Sequence, residues 1–208
     1  MPEMPLQSPP SALRADAARN RERIVAAAAS VFAKRGLDAS TSEIAHEAGV
    51  GEATLFRRFP CKDDLIDAII EARMEEVVAL ADAAAGDPDP GAALERLMHD
   101  VIKSFARDRG FFEAAGDRCL ADPRLAELRA RSLEAMGRVL KRAQQAGAVR
   151  TDISASDLSF LVGSAAHAMS APLPDLRDDL WKRYLRIILD GMKPEGASKL
   201  RPGAPKLT

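Results

Sequence analysis

Residues 41–60, TSEIAHEAGVGEATLFRRFP, leave this chain few options, because they set two short helical patterns around a Gly49-Val50-Gly51 turn. For two helices to cross at about 90–120° over three or four residues, the facing position of the first must be small and the turn must tolerate unusual dihedrals. Ala45 and Gly49 meet those demands, and Ile44, Val50 and Leu55 remain to plug the core between this pair and a preceding helix. That packing turns Glu52, Ala53, Thr54, Arg57 and Arg58 of the second helix toward solvent. In a helix-turn-helix this is the surface that enters the major groove, where threonine offers a hydroxyl and a methyl and arginine bonds guanine bidentately. Most exposed arginines are merely solvated charges. A plain surface helix, however, has no need for Ala45, Gly49 and Gly51 at these spacings.

The rest of the chain repeats the helical period and shows neither strand alternation nor internal repeats. Aromatic residues make up only 4% of a chain rich in Ala, Leu, Arg and Glu, which favours helix over sheet, and 47% hydrophobic content supplies a core. Ile24, Ala28, Val31 and Phe32 mark a first helix stopped by Gly36, and Ser40 with Glu43 has capping-box spacing for the second. A third helix runs from about Glu52 to Phe59, and a fourth from Lys62 to Gly86. Asp89-Pro90 and Asp122-Pro123 start two more, Ser154 with Asp157 caps another, and a last one spans about Asp175 to Asp190. The expected organisation is a proline-rich disordered leader over 1–13, a helix-turn-helix domain over 14–60, a helical bundle over 61–192 and a flexible tail over 193–208.

A formal net charge of −1 means that any nucleic-acid contact must come from local placement of Arg and Lys, not from a globally basic chain. The amides near Thr41, Ser42 and Lys62, at two helix starts, are suited to phosphate, and Arg19, Arg21 and Arg23 are placed to add backbone contacts. No stretch approaches the roughly 20 apolar residues of a membrane span, and the N-terminus lacks a signal-peptide core, so a cytoplasmic protein is expected. Cys61 and Cys119 have neither CxxC nor Cys/His spacing and read as reduced thiols, the first an ordinary cap cysteine with an oxidation sensor at the DNA-binding edge as the alternative. His46, His99 and His167 share no metal-ligand spacing. With no GxSxG elbow, phosphate loop or HExxH, neither an enzyme nor a cofactor is expected.

From residue 21 to 65, RERIVAAAASVFAKRGLDASTSEIAHEAGVGEATLFRRFPCKDDL, the sequence resembles the TetR-type (TetR/AcrR) transcriptional regulators of bacteria. AGAVRTDISASDL at 146–158 and YLRIILDGMKP at 184–194 look like the divergent C-terminal region of many members. The resemblance implies an all-α fold, with an N-terminal three-helix helix-turn-helix domain and a C-terminal bundle for ligand binding and dimerisation. It implies a homodimer on pseudo-palindromic double-stranded operator DNA, released by an unknown small-molecule effector. Gly51 and Phe56 join Thr41, Ser42, Glu52, Ala53, Thr54, Arg57, Arg58 and Lys62 as DNA-contact candidates. Two of these positions depart from the pattern: Phe56 stands where the family usually has a phosphate-bonding tyrosine, and Gly51 where it has a hydroxyl cap. Cys61, also at a usual hydroxyl cap, is a poor acceptor.

For the effector pocket the candidates are Met74, Met98, Phe105, Phe111, Phe112, Met136, Phe160 and His167, apolar side chains at helical spacing with one polar group. His99 is a further candidate for bonding an effector. By family pattern the last two helices, about 154–170 and 175–191, would form the dimer interface through Leu158, Leu161, Val162, Ala165, Leu180, Tyr184, Ile187 and Ile188. Ligand binding would act through the fourth helix, by shifting the population of DNA-compatible states. The alternatives are a helix-turn-helix protein acting mainly through protein partners and a small helical enzyme.

Overall fold

A computed structural model describes residues 10–105, 118–119, 121–167, 179–195 and 197–205. Among them the regular structure is entirely helical: α1 (Pro10–Arg35), α2 (Thr41–Glu47), α3 (Glu52–Arg58), α4 (Lys62–Ala84), α5 (Pro90–Phe105), α6 (Pro123–Gln145), α7 (Ala155–His167) and α8 (Trp181–Gly191). The chain divides into two compact units, one extending to Ile69 and the other from Ile70 onward. The expected boundary at residue 60 is therefore displaced, because the first turns of α4 bury Leu65, Ile66 and Ile69. α1 starts at Pro10, inside the expected disordered leader. Proline suits a first helical turn, where its missing amide would have no partner.

In the first unit, α1 packs against α2 and α2 against α3. Ile24, Ala28, Val31 and Phe32 of α1 bury one stripe, against which Ile44, Ala45 and Leu55 are also buried. The capping box at α2 forms as the spacing predicts: the Glu43 amide donates to Ser40 Oγ at 3.2 Å and the Ser40 amide donates to Glu43 Oε2 at 3.0 Å.

The second unit is built around α5, which packs on α6, α7 and α8. Leu94, Leu97, Met98, Val101 and Ile102 of α5 are almost fully buried, together with Leu140 and Ala143 of α6, Leu158 and Val162 of α7, and Trp181 and Leu185 of α8. Asp122 accepts from the Arg124 amide at the start of α6, and Ser154 and Asp157 cap α7 reciprocally. At the C-terminal end of α4, Arg142 donates to the carbonyls of Ala85 and, at 2.8 Å, Asp87. Carbonyls just past a helix end need such donors, since no further turn supplies them.

The expected tail has anchors of its own. The Arg150 amide donates to Met192 O at 2.9 Å, its guanidinium pairs with Asp152 and reaches Ser198 O, and the Leu200 amide points at Asp152 Oδ2 at 3.4 Å. Hydrogen bonds from Arg150 bring the Asp152 carboxyl down to about 2. Near α8, Asp179 and Leu180 form a turn before the helix begins at Trp181, while the expected helical residues 168–170 and 175–178 lie outside the described residues.

Candidate nucleic-acid interface

The orientation of α3 is decided at the turn before it. Gly49 has φ +63°, its amide donates to His46 O, and the Val50 amide reaches back to Ala45 O, both at 3.0 Å. This pair of bonds closes the last turn of α2 in a Schellman arrangement, which needs a left-handed residue at the glycine position. Gly51 is different: with φ −72° and ψ 148° it caps α3 in ordinary extended geometry, and a Cβ added there would meet nothing within 4 Å. The turn therefore demands one glycine, not two. Arg23 Nη2 donates to Ala48 O at 3.0 Å, so α1 also grips the end of α2.

Leu55, fully buried, anchors α3 with Phe59 just beyond its end, and Glu52, Ala53, Phe56, Arg57 and Arg58 are exposed with Thr54 half-buried. Neither Arg57 nor Arg58 forms an ion pair among the described residues. Around them, Ser42 is exposed while Thr41 and Lys62 are half-buried. Lys62 Nζ lies 5.6 Å from the centre of the Phe32 ring. The expected α1 arginines are engaged within the protein: Arg19 pairs with Asp16, Arg21 lies 5.7 Å from the Phe59 ring centre, and Arg23 holds Ala48. At the start of α2 the Ser40 amide and hydroxyl hold the Glu43 carboxyl below its usual range, so a carboxylate sits beside the exposed Ser42. At α4 the Cys61 amide donates to Asp64 Oδ2 at 3.0 Å and Cys61 Sγ lies 3.2 Å from the same oxygen, so Asp64 supplies the reciprocal half of a capping box whose other half cysteine fills poorly.

An open groove of about 420 Å³ lies beside α2, lined by Val31, Lys34, Arg35, Ser42, Glu43, His46 and Glu47. Its charges are matched across it, Lys34 with Glu47 and Arg35 with Glu43, each at 3.6 Å.

The second unit redistributes the expected pocket. Met98, Phe105 and Met136 are buried in the common core. Phe160 is 56% exposed and His167 is exposed, so α7 carries both outward. Met74 is half-buried, with Ser132 Oγ 3.5 Å from its sulfur, while Phe111 and Phe112 lie outside the described residues. His99 meets the Trp181 ring edge-on at 4.9 Å. Sequence reasoning missed a partly buried polar set between α4 and α5: Ser104 Oγ donates to Glu76 Oε2 at 2.6 Å, and Arg73 Nη1 to the same oxygen at 2.9 Å. Its one sequence signal is Ser104 interrupting the apolar stripe of α5.

The expected dimer stripe is corrected likewise. Leu158, Val162 and Ala165 are buried within the single chain, because α7 turns them onto α5 and α8. Leu161, Leu180 and Ile188 are half-buried against that core, and Tyr184 and Ile187 are left exposed. Phe160, placed with the pocket by sequence, thus shares the exposed apolar class with Tyr184 and Ile187.

Among the described residues no helix is long and apolar enough to cross a membrane, and no group of His, Cys, Asp or Glu is arranged to hold a metal ion.

Comparison with known proteins matches residues 24–69 to the family described as bacterial regulatory proteins, tetR family, and residues 89–194 to the C-terminal domain of SbtR-like transcriptional regulators. The HTH-type transcriptional repressor BepR of Brucella suis is 33% identical over 156 residues, covering 68% of this chain and 74% of that protein. The repressor KstR2 of Rhodococcus jostii is 28% identical over 184 residues, covering 83% and 90%. The crystal structure of a TetR transcription regulatory protein from Mycobacterium vanbaalenii superposes with a TM-score of 0.65 at 34% identity, covering 87% of this chain and 99% of that one.

Proposed function

Because the chain belongs to the tetR family of bacterial regulatory proteins, we propose that it is a repressor that reads a two-fold symmetric operator as a homodimer and is released by a small molecule. The observation that carries the DNA-reading part is the exposed face of α3, where Arg57 and Arg58 stand without internal ion pairs on a helix oriented by the Gly49 turn. Arginine needs only such freedom and placement to bond guanine or phosphate. Glu52, Ala53 and Thr54 complete the base-facing surface, and Thr41, Ser42, Gly51 and Lys62 border the DNA backbone. Carboxylates sit at both of these helix starts, Glu43 at α2 and Asp63 and Asp64 at α4.

Dimerisation fits the exposed apolar side chains of α7 and α8: Phe160 and Ile187, each 56% exposed, and Tyr184, 38% exposed. Gly163 and Ser164 sit beside Phe160 on α7, small enough for helices to approach closely. The effector reading is supported by the partly buried polar groups Glu76, Arg73 and Ser104, with Ser132 next to Met74, since ligand sites combine apolar walls with a few placed polar groups.

Selection of bound sequences from random duplex DNA at near-physiological salt tests this function. An enriched inverted repeat, with half-sites about 34 Å apart, is expected. Arg57→Ala or Arg58→Ala is expected to weaken binding to that repeat by about 1–3 kcal/mol and relax one position where a base is contacted, or to weaken all sequences uniformly with a shallower salt slope where phosphate is. Absence of any enrichment, or unchanged binding in both variants, overturns the assignment of α3.

A further inference from the structure

Phe56 exposes 42% of its surface on a seven-residue helix whose neighbouring Leu55 is completely buried. Successive side chains on a helix turn by about 100°. With Leu55 as the inward direction, Ala53 and Arg57 point opposite the core, Thr54 and Arg58 share one flank, and Glu52 and Phe56 share the other. The benzyl ring has no hydroxyl to offer a phosphate. Its flank-mate Glu52, also exposed, adds a negative charge that phosphate oxygens avoid. This flank of α3 is therefore ill-suited to the DNA backbone and well-suited to base edges.

In the major groove only one base-pair feature is apolar, the 5-methyl group of thymine, and alanine, threonine and phenylalanine side chains are the ones that pack on it. We infer that Phe56 reads thymine through its 5-methyl group, making it a specificity-determining residue and not a backbone contact. The inference rests on the proposed reading of α3 as the base-reading helix. It goes beyond that reading by assigning the base and the atom.

The test uses the full-length protein and the duplex enriched by selection, with each thymine replaced in turn by deoxyuridine, which lacks only the methyl. At one thymine in each half-site, affinity is expected to fall about fourfold, the worth of one buried methyl-sized group. In Phe56→Ala that discrimination between thymine and uracil is expected to vanish, while discrimination at the other positions persists. A wild-type protein indifferent to uracil at every position overturns the inference, even if Phe56→Ala fails to fold. Discrimination that survives intact in a folded Phe56→Ala protein overturns it too. These outcomes are separate from failure of the underlying reading, which shows earlier, as no enriched duplex at all.

Discussion

In the unit that ends at Ile69, α3 leaves mostly charged side chains outside, Glu52, Arg57 and Arg58, with a single aromatic ring among them. In the unit from Ile70 onward, α7 and α8 leave apolar ones outside, Phe160, Tyr184 and Ile187, above a core that buries Leu158, Val162, Trp181 and Leu185 and half-buries Leu161, Ile188 and Leu189. The means of orientation differ as well. A seven-residue helix cannot fix its own direction by packing, so α3 depends on Leu55, Phe59 and the Gly49 turn. The helices α5, α6 and α7 hold one another through long buried stripes. On the proposed reading, what each unit leaves uncovered matches its role: charge for a polyanion in one, apolar surface for another copy of the chain in the other.

The sharpest way to break this contrast is to put charge on the apolar face. Phe160→Asp combined with Ile187→Asp is expected to yield a monomer by sedimentation, since burying unpaired carboxylates costs several kcal/mol. If the double variant still sediments as a dimer, the face is not the interface. Next in size, Leu55→Ala and Leu94→Ala each remove a fully buried side chain, and each is expected to cost about 2–5 kcal/mol in denaturant unfolding of its own unit. Only Leu55→Ala is expected to impair DNA binding beyond what its stability loss explains, because it alone frees α3 to turn. Equal effects of the two on DNA affinity would remove the distinction between a turn-oriented and a core-oriented element.

The smallest effect concerns the anchoring of the chain's end. Hydrogen bonding from Arg150 depresses the Asp152 carboxyl from 3.8 to about 2, so its contribution to stability is complete above the unfolded value and is lost as pH falls from about 4 toward 2. Asp152→Asn is expected to flatten that part of the pH dependence of thermal unfolding and to leave neutral-pH DNA binding unchanged. A pH profile identical to the wild type would show that Arg150 holds the segment without its carboxylate partner.

Local signals were legible wherever the physics is local. Capping depends on residues three apart, so Ser40 with Glu43, Ser154 with Asp157, and Asp122 before Pro123 could be read directly, as could the left-handed turn at Gly49. Even there the reading had limits. Prolines mark both a disordered leader and a helix's first turn, and Pro10 is the second. Gly51 adopts a conformation open to any residue.

The sequence by itself determined an all-helical chain, a helix-turn-helix with Glu52, Arg57 and Arg58 on its outer face, and the family through residues 21–65. What only the tertiary structure decided is which partner each apolar stripe covers. Periodicity gives a face its direction around a helix axis but not what lies against it, and a chain's own core and a contact between subunits draw on the same side chains. So the pattern points Leu158, Val162 and Ala165 at a partner and Phe160 at a pocket, whereas the fold buries the first three in the chain's own core and leaves Phe160 outside. The bonds from Arg23 to Ala48 and from Ser104 to Glu76 escape any local pattern for the same reason: they join residues 25 and 28 positions apart, which only folding brings together.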